Sequence, residues 1–217
     1  MKTCITGILC GLTLMLVGCA SAPKYDYAAF KKADPKTILV LPPKNSSPDV
    51  KATYSFYSHT QRPLSESGFY VLPITVVDEI FKANGVTVVD DMHQVSPKRL
   101  MDIFGADAAL YIDIKEYGTK YFVVGSAAVV TAEARLIDLR SGDLLWQGKA
   151  TASSEESNNN QQSGGLGALL VTALIKQVVG STFDQSHEVG KITNVRLLSA
   201  GTPNGLLYGP KSPQYQK

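Results

Sequence analysis

Cysteine is scarce in this chain: three among 217 residues, at positions 4, 10 and 19. If the first two leave with a leader peptide, a single thiol remains, and no intramolecular disulfide can form. Long apolar runs are missing too. Residues 5–17 (ITGILCGLTLMLV) carry no charge, but they fall short of the roughly 20 residues that a bilayer-spanning helix needs. Histidine occurs three times, as His59, His93 and His187, at no metal-ligand spacing, and neither H-E-x-x-H nor G-x-S-x-G is present. Charge of one sign is not concentrated either. The formal net charge is +2, of which Lys2 supplies one, and no Lys/Arg stripe marks a nucleic-acid footprint. These absences exclude a disulfide scaffold and an obvious nucleic-acid binder. They leave no motif that proposes an enzyme, a metal or a cofactor.

What is present begins with an address. Met1-Lys2 and the apolar run after it have the layout of a secretory signal peptide. A globular core helix would show polar residues at a 3.6-residue period, and this run has none. It ends in Leu16-Val17-Gly18-Cys19, a quartet that resembles the lipobox of bacterial lipoproteins. The resemblance implies that Cys19 is diacylated, released from residues 1–18 and N-acylated, becoming the first residue of the mature chain. One acyl chain holds a membrane marginally, whereas several hold it durably. Ala20 follows, with no Asp to retain the chain at the inner membrane, so the resemblance implies an outer-membrane anchor. The domain would then face the periplasm, with surface exposure left open. Residues 19–36, polar and Pro-bounded, read as lipidated Cys and tether.

From Thr37 the pattern is of the α/β (α+β) class: a mixed sheet with helices over residues 37–160, then a C-terminal helix and extended tail over 161–217. Ile38-Leu39-Val40-Leu41 is a short apolar run suited to a strand buried on both faces, stopped by Pro42-Pro43. A helix with Val50, Tyr54 and Tyr57 on its apolar side follows, with Asp49 or a nearby serine as cap. Pro63 at its first position opens a further turn, which Gly68 ends. Residues 69–72 read as the second strand, and residues 74–82 as a helix closed by Asn84-Gly85. Ser96 caps another helix with Pro97 at N1, ending at Gly105. Strict alternation then predicts antiparallel strands. Leu110, Ile112 and Ile114 share one face, as do Val130, Ala132, Ala134 and Leu136. Arg140-Ser141-Gly142-Asp143 turns into a strand over 144–152. Residues 153–163 (SSEESNNNQQS) form a polar loop. Residues 164–179 are an apolar helical segment, too short to span a membrane and interrupted by Lys176. Val189, Ile192, Val195 and Leu198 continue as a stripe.

Chemistry-bearing candidates are few. Asp90-Asp91-Met92-His93 has cation-binding residue types, but reads more simply as a solvated turn. Gly164-Gly165-Leu166-Gly167 opens a helix without the spacing or lysine of a phosphate loop. Glu66, Asp78 and Glu79 have no visible catalytic partner. The order of motifs carries more. A first strand ending in Val-Leu-Pro, then "SESGFYVLP", "PKRLMDIFGADAALYIDI" and "ARLIDLRSGDLLWQG", resembles the N-terminal domain of TolB and the periplasmic domain of CsgG. "SGFYVLP" with "NGLLYGPKSP" resembles a family of bacterial lipoproteins of unknown function.

That resemblance implies a non-enzymatic protein-binding component of an envelope assembly or secretion system. Its partner would be a CsgG-like lipoprotein or a second copy. Two alternatives stay open: a regulator of a cell-wall synthase like LpoB, and a small-ligand-binding or hydrolytic domain. The chain lacks the alternating membrane hairpins of a CsgG-like pore, so it is not expected to form one alone. Expected partner contacts are Leu169, Leu170 and Leu174 on the apolar helix, with Tyr208 and Pro210 in the tail. The tail either lies across the domain or docks on a partner. The lipid on Cys19 is the one non-protein group expected. Cys19→Ser is accordingly predicted to abolish palmitate labelling and release the chain from membranes; a variant still labelled and membrane-bound would refute the anchor.

Overall fold

The computed structural model describes residues 25–122, 125–158 and 185–216. The leader, the lipobox Leu16-Val17-Gly18-Cys19 and the apolar segment 164–179 lie outside them. Strand β1 (Thr37–Val40) shows why the sheet is central: Ile38, Leu39, Val40 and the following Leu41 are all fully buried. Because alternate strand residues point to opposite faces, Ile38 and Val40 join one core while Leu39 and Leu41 join another. β1 pairs in parallel with β3 (Tyr70–Val71) and with β4 (Ala108–Phe122). From β4 the sheet continues antiparallel through β5 (Gly125–Asp138) to β6 (Leu144–Ser153), in the order β3-β1-β4-β5-β6. A two-residue strand β2 (Lys44–Asn45) adds to β4 beyond β1.

Helices cover the two faces unequally. On the larger core lie α1 (Ala28–Ala33), α2 (Ala52–Tyr57), α3 (Gln61–Glu66) and α7 (Gln185–Leu198), which bury Phe30, Phe56, Leu64 and Val189. The opposite face carries α4 (Ile74–Ala83), α5 (Val89–Gln94) and α6 (Pro97–Phe104), with Val77, Phe81, Met92 and Leu100 inward. Local signals place α6: Ser96 Oγ accepts the Arg99 N–H at 3.4 Å, Pro97 sits in the first turn, and Gly105 closes it with φ 65°. Asp107 then fixes the sheet entrance, its carboxylate accepting the N–H groups of Lys36 and Thr37 at 3.0 Å each. The mixed α/β architecture is the expected one.

Several local expectations are corrected. The stretch read as tether belongs, from Tyr25 on, to the domain: Phe30 of α1 is 4% exposed in the main core, with Ala29 and Ala33 packed around it. Residues 89–94 form helix α5 rather than a turn, because Met92 drops fully buried under the sheet while Asp90 and Asp91 occupy the first turn, where carboxylates suit the helix dipole. The buried side of α2 is Ala52, Phe56 and Tyr57, whereas Val50 is 87% and Tyr54 52% exposed. Pro63 is the third residue of α3, not its first. Asp78, for which the sequence shows no catalytic partner, is buried and paired with Lys82 at 2.5 Å. On α7, Leu197 is buried and Val195 only half so.

The antiparallel hairpin is longer than the alternation indicated, because a register shift between Ile114 and Glu116 resets the pattern. Inserting Lys115 as an extra residue returns Tyr117, rather than Glu116, to the core face. Ser153 ends β6, and residues Ser154–Asn158 form a short 3-10 helix whose Glu156 pairs with Arg196 of α7. If α1 is part of the fold, Phe30→Ala lowers unfolding free energy by about 3 kcal/mol or more; urea denaturation checks this, and no loss would return residues 25–36 to a tether.

Candidate functional site

The β4 bulge brings Tyr117 to a half-buried polar cluster at the margin of the larger core. It turns Tyr117, 4% exposed, toward α2, where the Ser55 Oγ lies 2.5 Å from the phenol oxygen. α7 can pass close by because it presents Gly190 there; a Cβ would stand 3.4 Å from the Tyr117 ring. One residue before Glu188, His187 places Nδ1 2.7 Å from the same Ser55 Oγ. Its other nitrogen, Nε2, lies 3.0 Å from His59 Nε2, in the turn between α2 and α3. The chain of contacts therefore runs Tyr117, Ser55, His187, His59.

Burial is the main cause that pushes His59 down from 6.5 to about 4, helped by the positive charge that His187 and Lys191 would present and opposed by Glu188. The imidazole is therefore neutral at neutral pH. The arrangement does not have the logic of a hydrolytic triad, in which an oriented base activates an accessible hydroxyl. Ser55 is held by a buried phenol, and what stands beyond the first imidazole is a second one rather than a carboxylate. Sequence reading missed this pair, since its members are 128 residues apart and no local pattern marks either.

The third histidine is elsewhere: His93 Nε2 donates to the Pro42 carbonyl at 2.8 Å and stacks edge-on against Tyr111. Burial chiefly holds its pKa below the usual histidine range, so it is a neutral packing residue. Asp90 pairs with Lys44 at 2.7 Å. Among the described residues no three His, Cys, Asp or Glu side chains group as metal ligands.

A second feature is the part of the sheet that no described helix covers. Opposite α7, the outer half of β4, β5 and β6 forms a shallow depression of about 400 Å³ lined by Asp113, Glu133, Arg135, Gln147 and Lys149. Glu133 sits between Lys115 at 3.5 Å and Lys149 at 3.0 Å, and its hydrogen bond with Lys149 leads the effects that keep its carboxyl below the usual range. Exposed pairs of this kind stabilise little. They do present an ordered pattern of both signs.

The tail lies across the domain. Gly209 N–H donates to the Ser67 carbonyl at 2.8 Å and Lys211 N–H to that of Gly68 at 3.0 Å. Gly68, at φ 98°, must be glycine on two counts: the backbone is left-handed, and a Cβ would lie 2.5 Å from Ser212 N. Leu206 is buried, while Tyr208 and Pro210 are half-buried. Leu169, Leu170 and Leu174 fall outside the described residues.

Comparison with known proteins gives a family. The family model described as "Putative lipoprotein GNA1162-like" matches residues 25–211, beginning where the described fold begins. Over 216 residues the chain is 45% identical to "Putative lipoprotein NMB1124/NMB1162" of Neisseria meningitidis serogroup B (strain ATCC BAA-335 / MC58), spanning 100% of this chain and 99% of that one. The crystal structure of lipoprotein GNA1162 from Neisseria meningitidis is 46% identical and superposes with a TM-score of 0.54, over 68% of this chain and 100% of that one. More distantly, the LpoB C-terminal domain from Salmonella enterica is 15% identical with a TM-score of 0.40, over 54% of this chain and 81% of that one.

The histidine pair has a pH signature. Because the folded pKa of His59 lies below its unfolded value, the unfolded chain binds more protons between about pH 6.5 and 4. The stability contributed by neutral His59 is thus complete above that window and lost as pH falls through it. His59→Gln should flatten the decline of Tm across this range relative to wild type; parallel curves would show that His59 is not held neutral.

Proposed function

The chain belongs to the GNA1162-like lipoprotein family, and from that premise we propose that it is a lipid-anchored, non-enzymatic, protein-binding component of an envelope assembly. Cys19 carries the lipid, the bilayer is the outer membrane, and the domain faces the periplasm. Among the described residues no helix is long and apolar enough to cross a membrane. An acylated Cys19 supplies the attachment instead, and triacylation makes it durable.

The observation that carries the reading is the place where the fold starts. With Tyr25 already hydrogen-bonded into the domain, only residues 20–24 separate it from Cys19. Fully extended at about 3.4 Å per residue, that leash reaches roughly 20 Å. A domain so held works close to the bilayer on partners that are there with it. This disfavours a regulator that must reach a distant cell-wall synthase. The partner is a CsgG-like lipoprotein or a second copy. The uncovered sheet face, with Glu133 between two lysines and Arg135 beside them, offers matched charges, which favour specificity and encounter over raw affinity. The tail residues Tyr208 and Pro210, half-buried against the domain, border that role only if a partner extends across the tail. A hydrolytic reading is disfavoured by the engagement of Ser55 with Tyr117.

A photo-crosslinking residue in place of exposed Gln147, in cells carrying the full chain, tests this reading. Discrete adducts of higher mass are expected, absent when the crosslinker replaces exposed Lys98 on α6. Absence of any protein adduct at Gln147 would count against the assembly reading.

A further inference from the structure

We propose that the outer side of α1 is a docking surface for the anionic phospholipid headgroups of the bilayer that holds the anchor. Acyl chains and lysine charge then attach the domain together. This deepens the reading above and rests on it, because Cys19 must carry the lipid.

Position is the first support. The Tyr25 N–H is bound to the Asn204 side chain, so the chain leaves the fold at a fixed point, no more than about 20 Å of extended link from Cys19. Helix α1 begins three residues further on, at Ala28, and advances only about 1.5 Å per residue. The surface around that exit is kept near headgroup depth, and along the chain α1 is the element next to it.

Charge is the second support. Phe30 turns inward at 4% exposure, whereas Lys31 and Lys32 in the last turn of α1, and Lys36 just beyond it, are exposed. Among the described residues none of these three ammonium groups has an ion-pair partner. Six other lysines do: Lys44, Lys82, Lys115, Lys120, Lys149 and Lys191 each meet a carboxylate within 4.0 Å. Lys24 adds a further positive charge in the link itself.

The acids nearby are engaged with the fold. Asp26 accepts the Ala28 N–H at 2.9 Å, and Asp34 accepts the Tyr215 hydroxyl. Asp107 holds the N–H groups of Lys36 and Thr37, while Asp138 holds those of Arg140 and Ser141 and pairs with the Arg140 guanidinium. The outward charges of α1 itself are the two lysines. A negatively charged leaflet attracts lysines that lie within about a Debye length, roughly 8–10 Å, and lysine stems carry their ammonium groups toward lipid phosphates. Three such charges are weak on a freely diffusing protein. A lipid tether raises their effective concentration at the surface, and the second contact becomes an intramolecular one. The rival surface is the apolar outer side of α4, with Val76, Ile80 and Ala83. It belongs to the opposite face of the sheet from α1.

The test uses the full lipidated chain reconstituted into phosphatidylethanolamine vesicles with or without phosphatidylglycerol. A thioether at Cys19 leaves the mature chain without a free thiol, so Ala28→Cys supplies one unique site for a fluorophore on exposed α1. Headgroup-spin-labelled lipid should quench that fluorophore at least about twofold more when phosphatidylglycerol is present, and high salt should remove the gain. Combined Lys31→Gln, Lys32→Gln and Lys36→Gln should abolish the gain while palmitate labelling is unchanged. A fluorophore at Ala83→Cys on α4 should show no gain. Quenching at Ala28→Cys that ignores phosphatidylglycerol or survives the triple substitution would overturn the surface, as would stronger quenching at Ala83→Cys. A reactive thiol at Cys19 in the otherwise unsubstituted chain would instead refute the anchor, and this surface with it.

Discussion

The domain depends on one edge where both ends of its described chain are tied together. Trp146, buried near the start of β6, donates its indole N–H to the Asn204 carbonyl at 3.1 Å. The side chain of the same asparagine accepts the Tyr25 N–H at 2.9 Å, and the Tyr27 hydroxyl donates to the Gly205 carbonyl at 2.5 Å. Arg140 reaches from the β5–β6 turn to the Ala33 carbonyl at 2.6 Å, and Tyr215 closes on Asp34. Each bond alone is worth about 1 kcal/mol. Together they hold α1 between tail and sheet, over a Phe30 side chain that has nowhere else to be buried. The proposed length of the link to the lipid follows from this tie.

The same economy explains what is left open. β1 and the first half of β4 are covered on both sides, so they carry continuous apolar runs. The outer half of β4, with β5 and β6, is covered only by α7 and its neighbours, and therefore alternates. The uncovered side carries Lys115, Glu133, Arg135 and Lys149, a surface built to be wet or to meet matched charges. Burial concentrates polar chemistry at a different place, the β4 bulge, where Tyr117, Ser55 and two histidines satisfy one another. Membership of a lipoprotein family, one charged sheet face and one polar cluster are what the described residues present.

Much of this was legible in the sequence, for reasons that can be named. Ile38 to Leu41 announced a doubly buried strand because nothing in it could face water. Ser96-Pro97 and Gly105 marked α6 through capping chemistry that acts within four residues. The period of two in β5 and β6 followed from a sheet with one wet face. The misses share a cause, which is that tertiary contacts decided them. Residues 25–36 looked like a tether because one phenylalanine and some alanines do not form a periodic signal, yet the tail supplies the other half of their core. Helix α5 hid behind two aspartates that look like turn residues and instead suit a helix N-terminus. The bulge at Lys115 shifted the alternation by one, so Tyr117 could not be placed, nor could a pair of histidines that meet only once α7 docks.

Hydrogen exchange of the amides in α1 tests the account most directly. The N–H groups of Lys31 and Asp34 donate to the carbonyls of Tyr27 and Phe30 at 2.9 Å each. If the two termini lock onto the sheet edge as described, these amides exchange only with opening of the fold and are protected to a degree comparable with those of β6. Exchange at the rate of an unstructured chain would contradict it. Such a result would return residues 25–36 to a tether and remove the support for the proposed work close to the membrane.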